Sequence, residues 1–153
     1  MNKDITLEAR NKAGNYFKEG YNCAEAIFLT FREYLAPEIS PETVKLVTGF
    51  GHGMGRTGCM CGALTSSIMA LNMIEGRTSL EDNRYSAYDC AGEFHERFVN
   101  EFGTSCCRAL NPYPFESPEH LKNCLKITGN TGKLLMDFLQ EKGLYLEESK
   151  IST

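Results

Sequence analysis

No stretch of the chain approaches the roughly 20 consecutive apolar residues that a helix needs to cross a bilayer, so no membrane partner is expected. Clustered base is missing as well. The 16 lysines and arginines are scattered, with no two adjacent, and 20 acidic residues leave a formal net charge of -4. Nucleic acids and anionic membranes are recognised through clustered Lys and Arg, so no nucleic-acid partner is expected either. The period-two alternation that marks half-buried strands is almost absent. Absent too is Cys-x-x-Cys-His, the pattern that attaches haem covalently. Met1 to Arg10 carries charges where a secretion signal needs an apolar core, and the expected location is the cytoplasm.

What remains is enough for a core. The chain has 153 residues, 42% of them hydrophobic, which suits one domain of ordinary size without disulfide support. The expected organisation is one helical domain over residues 1–146 and a polar, frayed tail over 147–153.

The punctuation predicts an all-α bundle of six or seven helices with a glycine-rich loop. A first helix is expected over Thr6 to Lys18, ended by Gly20. Asn22-Cys23-Ala24-Glu25 has the form of a capping box that opens a second, running to Ala36 before Pro37. Ser40-Pro41-Glu42 starts a short helix ending near Gly49. The glycine-rich segment Gly49 to Gly62 follows, then an apolar helix that stops at Gly76. Ser79-Leu80-Glu81-Asp82 is expected to open the longest helix, with Tyr85, Tyr88, Gly92, His95, Val99 and Phe102 on one face. Gly103 closes it. Ser117-Pro118-Glu119 starts another helix, and a last one is expected over Thr131 to Lys142.

Seven cysteines fall below the roughly 8–10% of residues found in secreted disulfide scaffolds. In a reducing cytosol they point to metal binding or redox chemistry. Cys23 follows an N-cap, where free N–H groups and the helix dipole stabilise a thiolate; the alternative is a small buried hydrophobe. Cys59-Met60-Cys61 sits on backbone loosened by Gly55, Gly58 and Gly62. One intervening residue fits poorly to structural zinc spacing and differs from the thioredoxin-like Cys-x-x-Cys. Cys106-Cys107 lie past the end of the long helix and Cys124 on the next, while Cys90, mid-helix, reads as packing.

Tyr21-Asn22-Cys23-Ala24-Glu25-Ala26, Gly49-Phe50-Gly51-His52-Gly53-Met54-Gly55 and Cys61-Gly62-Ala63-Leu64-Thr65 together resemble the family of redox-active proteins named for the pattern C_GCAxxG_C_C. The resemblance covers nearly the whole chain and implies four characteristic cysteines. The matching positions are Cys23, Cys61, one of Cys106 or Cys107 (Cys107 favoured) and Cys124. The motif's final glycine is Ser66 here, and Cys59 and the doubled Cys106-Cys107 are extra thiols. A related cysteine arrangement in split-Soret cytochromes is associated with an iron–sulfur centre.

The resemblance therefore implies electron transfer through an iron–sulfur cluster held by Cys23, Cys61, Cys107 and Cys124. Gly53, Gly55, Arg56, Gly58 and Gly62 would cradle it as a backbone nest beside a helix start. One alternative is metal-free thiol–disulfide exchange by Cys23 or Cys61, with Cys59 and Cys106 as resolving thiols. Another is a structural zinc module with the same four ligands. The expected partner is a redox protein or a small-molecule reductant or oxidant, and a homodimer is compatible with the tyrosine-bearing helix. Gly53-Met54-Gly55-Arg56-Thr57-Gly58 matches G-x-G-x-x-G, but no strand precedes it as dinucleotide binding requires. His52 is expected in solvent or capping the loop, His95 in the core, and His120 exposed.

Overall fold

The computed structural model describes residues 2–146; the tail expected over 147–153 lies outside them. Helix α1 (Lys3–Glu19) starts three residues before the expected Thr6, because the Asn2 side chain accepts from the main-chain N–H groups of Asp4 and Ile5. It ends at Gly20, whose φ of 119° lets its N–H turn back to the Phe17 and Tyr16 carbonyls. Helix α2 (Cys23–Leu35) opens with a complete capping box. Asn22 Oδ1 accepts from the Glu25 N–H at 2.8 Å, and Glu25 Oε1 accepts from the Asn22 N–H at 3.0 Å. Ala24, Ala26, Ile27, Phe28, Leu29 and Phe31 are all buried, so α2 is covered nearly all round. Its neighbours include α1 and the later helices Gly62–Glu75 and Pro118–Glu141.

Two short 3-10 helices, Pro41–Leu46 and Thr48–Phe50, stand where one short helix was expected. They lead into a tight turn, α3 (Gly51–Met54), with left-handed backbone at His52 and Gly53. Helix α4 (Gly62–Glu75) runs to Gly76 as the sequence predicts.

Helix α5 (Tyr85–Phe102) differs from expectation in both start and face. Ser79 to Asp82 forms its own turn, in which Asp82 Oδ2 accepts from the Thr78 N–H at 2.9 Å. Asn83 Oδ1 then takes the Tyr85 N–H at 2.8 Å. The buried face is Phe94 and Phe98, while Tyr85 and Tyr88 are 58% and 60% exposed. His95 is only half-buried. Phenyl rings without a hydroxyl take the core side, with Phe94 edge-on to Phe138 at 5.4 Å and Phe98 beside Phe102 at 4.6 Å.

After the single turn α6 (Cys107–Leu110), helix α7 (Pro118–Glu141) runs unbroken through the expected gap at Gly129-Asn130. At 24 residues it is the longest helix, in place of α5. Its glycines permit close packing on α1. A Cβ at Gly132 would stand 3.1 Å from the Ala9 carbonyl oxygen and 3.2 Å from the Ala13 Cβ. The fold is all-α, with seven α-helices among the described residues. Among the described residues, extended backbone pairs in one isolated antiparallel bridge, Met60 with Cys106. No described helix is long and apolar enough to cross a membrane.

Candidate functional site

Cys23 is the first residue of α2 and only 4% exposed. The thiols of Cys124 and Cys61 donate to its sulfur, and the His52 main-chain N–H does the same. These contacts hold its ionisation well below the ordinary thiol range, against the opposing effect of burial. The helix N-terminus adds its positive field at the same sulfur.

Cys61 occupies the N-cap of α4 and is buried. Its N–H donates to the Ser105 carbonyl at 2.8 Å, and its carbonyl accepts from Leu64 and Thr65 at 3.0 and 3.1 Å. Donation to Cys23 keeps its own proton on, and burial pushes its ionisation up further. The residue after it has no room for a side chain. A Cβ at Gly62 would lie 2.6 Å from the Phe50 carbonyl oxygen and 2.8 Å from the Cys23 sulfur.

Cys124 reaches the same point from the second turn of α7 and is also buried. Its contact with Cys23, then burial, then the nearby Cys61 and Cys107 all raise its ionisation. Cys107, half-buried at the start of α6, is pushed up to about 11 by burial and by the proximity of Cys23 and Cys106. The structure thus brings Cys23, Cys61, Cys107 and Cys124 to one place, from four different helix segments.

Cys106 is turned away from that place. It pairs with Met60 in extended backbone, where successive side chains point to opposite sides. Its thiol donates to the Gly58 carbonyl at 3.3 Å. Cys59 is exposed and Cys90 half-buried on α5 against the core. All seven cysteines are free thiols. Among the described residues, no three His, Cys, Asp or Glu side chains stand ready-spaced around a metal ion; the Cys61 and Cys124 thiols contact Cys23 instead, and Cys107 lies near it.

The loop glycines divide by position. Gly53 backs Cys107, since a Cβ there would lie 2.7 Å from the Cys107 Cβ, and Gly62 backs Cys23. Gly58 accepts from Cys106 and lies under the Arg108 side chain, and Gly55 and Arg56 are exposed, so these three do not touch the four thiols. The backbone is left-handed at His52, Gly53, Met54, Gly55, Arg56 and Gly58.

His120, expected in solvent, is only 4% exposed. Its Nδ1 accepts from the Glu116 N–H at 3.3 Å and its carbonyl from Asn111 Nδ2 at 3.0 Å. Its ring stacks on His52 at 5.3 Å, and His52 meets Phe115 at 4.5 Å. His52 is half-buried rather than solvated, and its Nδ1 is buried with no hydrogen-bond partner among the described residues. Sequence reasoning missed this histidine pair and Arg108. The Ser117-Pro118 cap located the helix start beside His120, but nothing local showed what would cover it.

The model of the family described as "Putative redox-active protein (C_GCAxxG_C_C)" matches residues 21–138. The chain belongs to this family. It is also similar to a protein of Archaeoglobus fulgidus (strain ATCC 49558 / DSM 4304 / JCM 9628 / NBRC 100126 / VC-16) described as "Uncharacterized protein". The two are 26% identical over 145 residues, covering 88% of this chain and 95% of the relative. No solved structure matches the chain significantly.

Proposed function

We propose that this redox-active family member carries electrons through an iron–sulfur cluster held by Cys23, Cys61, Cys107 and Cys124. The observation that carries the reading is the number of thiols around one buried sulfur. A dithiol–disulfide couple needs two; a cysteine-bound 2Fe–2S or 4Fe–4S centre needs four. The donor set is also purely thiol, which suits soft-metal and iron–sulfur sites. When bound, the cluster supplies one-electron transfer.

The protein's own contribution is to prepare the ligands. Cys23, its ionisation lowered at the start of α2, gives up its proton more readily than the other three thiols, which release theirs when they bind. The bare main chain at Gly53 and Gly62 lets the loop close over the sulfurs. The His52 N–H, by donating to the Cys23 sulfur, and the burial of three of the four ligands both bear on the potential. Electrons come from, and leave to, a redox protein or a small-molecule reductant or oxidant.

The test is anaerobic purification followed by iron, zinc and acid-labile sulfide analysis. The reading expects a brown protein with iron and sulfide bound and visible absorbance that bleaches on reduction. A colourless protein with stoichiometric zinc favours the structural module instead.

A second reading draws on the Cys23 sulfur itself. A thiolate flanked by the Cys61 and Cys124 thiols is an arrangement for disulfide exchange: Cys23 attacks a substrate sulfur, and Cys61 displaces it by forming a Cys23–Cys61 disulfide. The substrate disulfide is then reduced to two thiols as the protein dithiol is oxidised. This reading expects a folded, metal-free protein in which one cysteine is alkylated far faster than the rest.

A further inference from the structure

Beside the four cysteines lies a cavity of about 150 Å³ whose wall includes Arg56, Arg108, His52, His120, Phe115 and Cys107. The protein as a whole is acidic, with a net charge of -4, yet among the described residues no carboxylate lines this cavity. Neither guanidinium has a carboxylate partner among the described residues. Arg108 spends one N–H on the Thr57 carbonyl and rests on Gly58, where a Cβ would be 3.0 Å from its Nε. That anchors the guanidinium while leaving donors of its planar fork free. His120 Nδ1 accepts from the Glu116 N–H, so Nε2 carries the ring hydrogen and is a donor.

The backbone of the loop that carries His52 and Arg56 into this wall is strained. His52, Met54 and Arg56 have φ of 55°, 63° and 74°, all left-handed and none of them glycine. Strain of this kind persists where the surroundings over-determine it and gathers at ligand clamps and active sites. Arg56, so held, has its charge at the cavity without an ion-pair or hydrogen-bond partner among the described residues.

We propose that this cavity binds a small oxyanion between Arg56 and Arg108, against Cys107. Two guanidinium forks match the oxygens of such an anion. The volume is that of roughly five water molecules, enough for an inorganic oxyanion. Cys107 is the half-exposed member of the four-thiol set, so the bound anion sits where a small solute reaches the centre. Its standing as the small-molecule partner of the redox centre rests on the four-cysteine reading; its binding does not.

The test is a titration of the protein as purified with sodium sulfate at ionic strength held constant with sodium chloride, followed by NMR of the Arg Nε–H and His ring signals. Saturable shifts confined to Arg56, Arg108, His52 and His120 are expected. Arg56→Gln and Arg108→Gln each weaken binding roughly tenfold or more, the loss of a hydrogen bond to a charged group. Lys45→Gln, a change at an exposed lysine elsewhere, leaves it intact. Arg108→Gln also removes the Thr57 contact, so Arg56→Gln, which breaks no hydrogen bond among the described residues, is the deciding variant. Sulfate also slows alkylation of Cys107 in metal-free protein. Shifts that grow linearly and match those in chloride, or unchanged affinity in Arg56→Gln, overturn the proposal. Because sulfate binding and metal content are read separately, failure of either claim is visible without the other.

Discussion

The Ser66 hydroxyl donates to the Ala24 carbonyl at 2.7 Å, tying the second turn of α4 to the first turn of α2. Both residues are fully buried. The resemblance puts Ser66 where the family motif has its final glycine, so the departure supplies a bond as well as volume. The two helices it joins begin at Cys23 and just after Cys61, and their spacing sets how far apart those two sulfurs lie.

Replacing Ser66 by alanine removes that bond and leaves the cavity shape nearly unchanged. The expected loss is about 1–2 kcal/mol of stability, with the thiol cluster still able to bind metal. Ser66→Gly, which restores the motif residue, loses about 1 kcal/mol more through helix propensity. Urea denaturation of the three proteins checks the order. Equal midpoints in all three would show that the hydroxyl contributes nothing to holding α2 and α4.

Gly62 is the tightest point of the site. Gly62→Ala places a methyl group against the Phe50 carbonyl oxygen and the Cys23 sulfur, and one of them must move. The expected result is destabilisation by about 1–3 kcal/mol, as for overpacking elsewhere, together with loss of bound iron. Gly92→Ala on α5 is the contrast, since a Cβ there meets nothing within 4 Å. That change is expected to stabilise the helix, by up to about 1 kcal/mol. Thermal melting and iron analysis of both variants report on the pair.

The parts of the fold that are local in cause were legible in the sequence. The capping box at Asn22 and Glu25 and the stops at Gly20 and Gly103 depend on residues within a turn of each other. The parts that were missed depend on distant partners. Gly129-Asn130 reads as a break, and only the approach of Gly129 to Arg10 and of Gly132 to Ala9 and Ala13 on α1 makes it part of a seam for close packing. The face of α5 turns on the partners of Phe94 and Phe98, which the helix itself does not reveal. For the site, the order of cysteines and the glycine after Cys61 carried the resemblance. The choice between Cys106 and Cys107 is physical only once Met60 pairs with Cys106 and fixes which side each faces. His120 is buried by His52 and Phe115, and its covering by His52 comes from far away in the chain.

In the reduced, metal-free chain the thiols give stability a defined pH dependence. Donation from Cys124 and Cys61 and from the His52 N–H depresses Cys23 below the ordinary thiol value of about 9. The unfolded chain then holds the more protons, so this contribution is present above about 9 and is lost as pH falls through the lowered value. Cys107, raised by burial to about 11, has the opposite sign: its contribution is lost as pH rises from about 9 to about 11. Urea denaturation as a function of pH is expected to show stability rising toward about 9 in the wild type and not in Cys23→Ser. A rising limb of equal slope in Cys23→Ser would assign it to another group.

The measurement that bears most directly on the four-cysteine centre is iron content per chain in seven single serine variants purified anaerobically. Cys23→Ser, Cys61→Ser, Cys107→Ser and Cys124→Ser are expected to lose bound iron, while Cys59→Ser, Cys90→Ser and Cys106→Ser keep the wild-type amount. Full iron in any of the first four variants, or loss in Cys106→Ser with Cys107→Ser unaffected, would contradict the account.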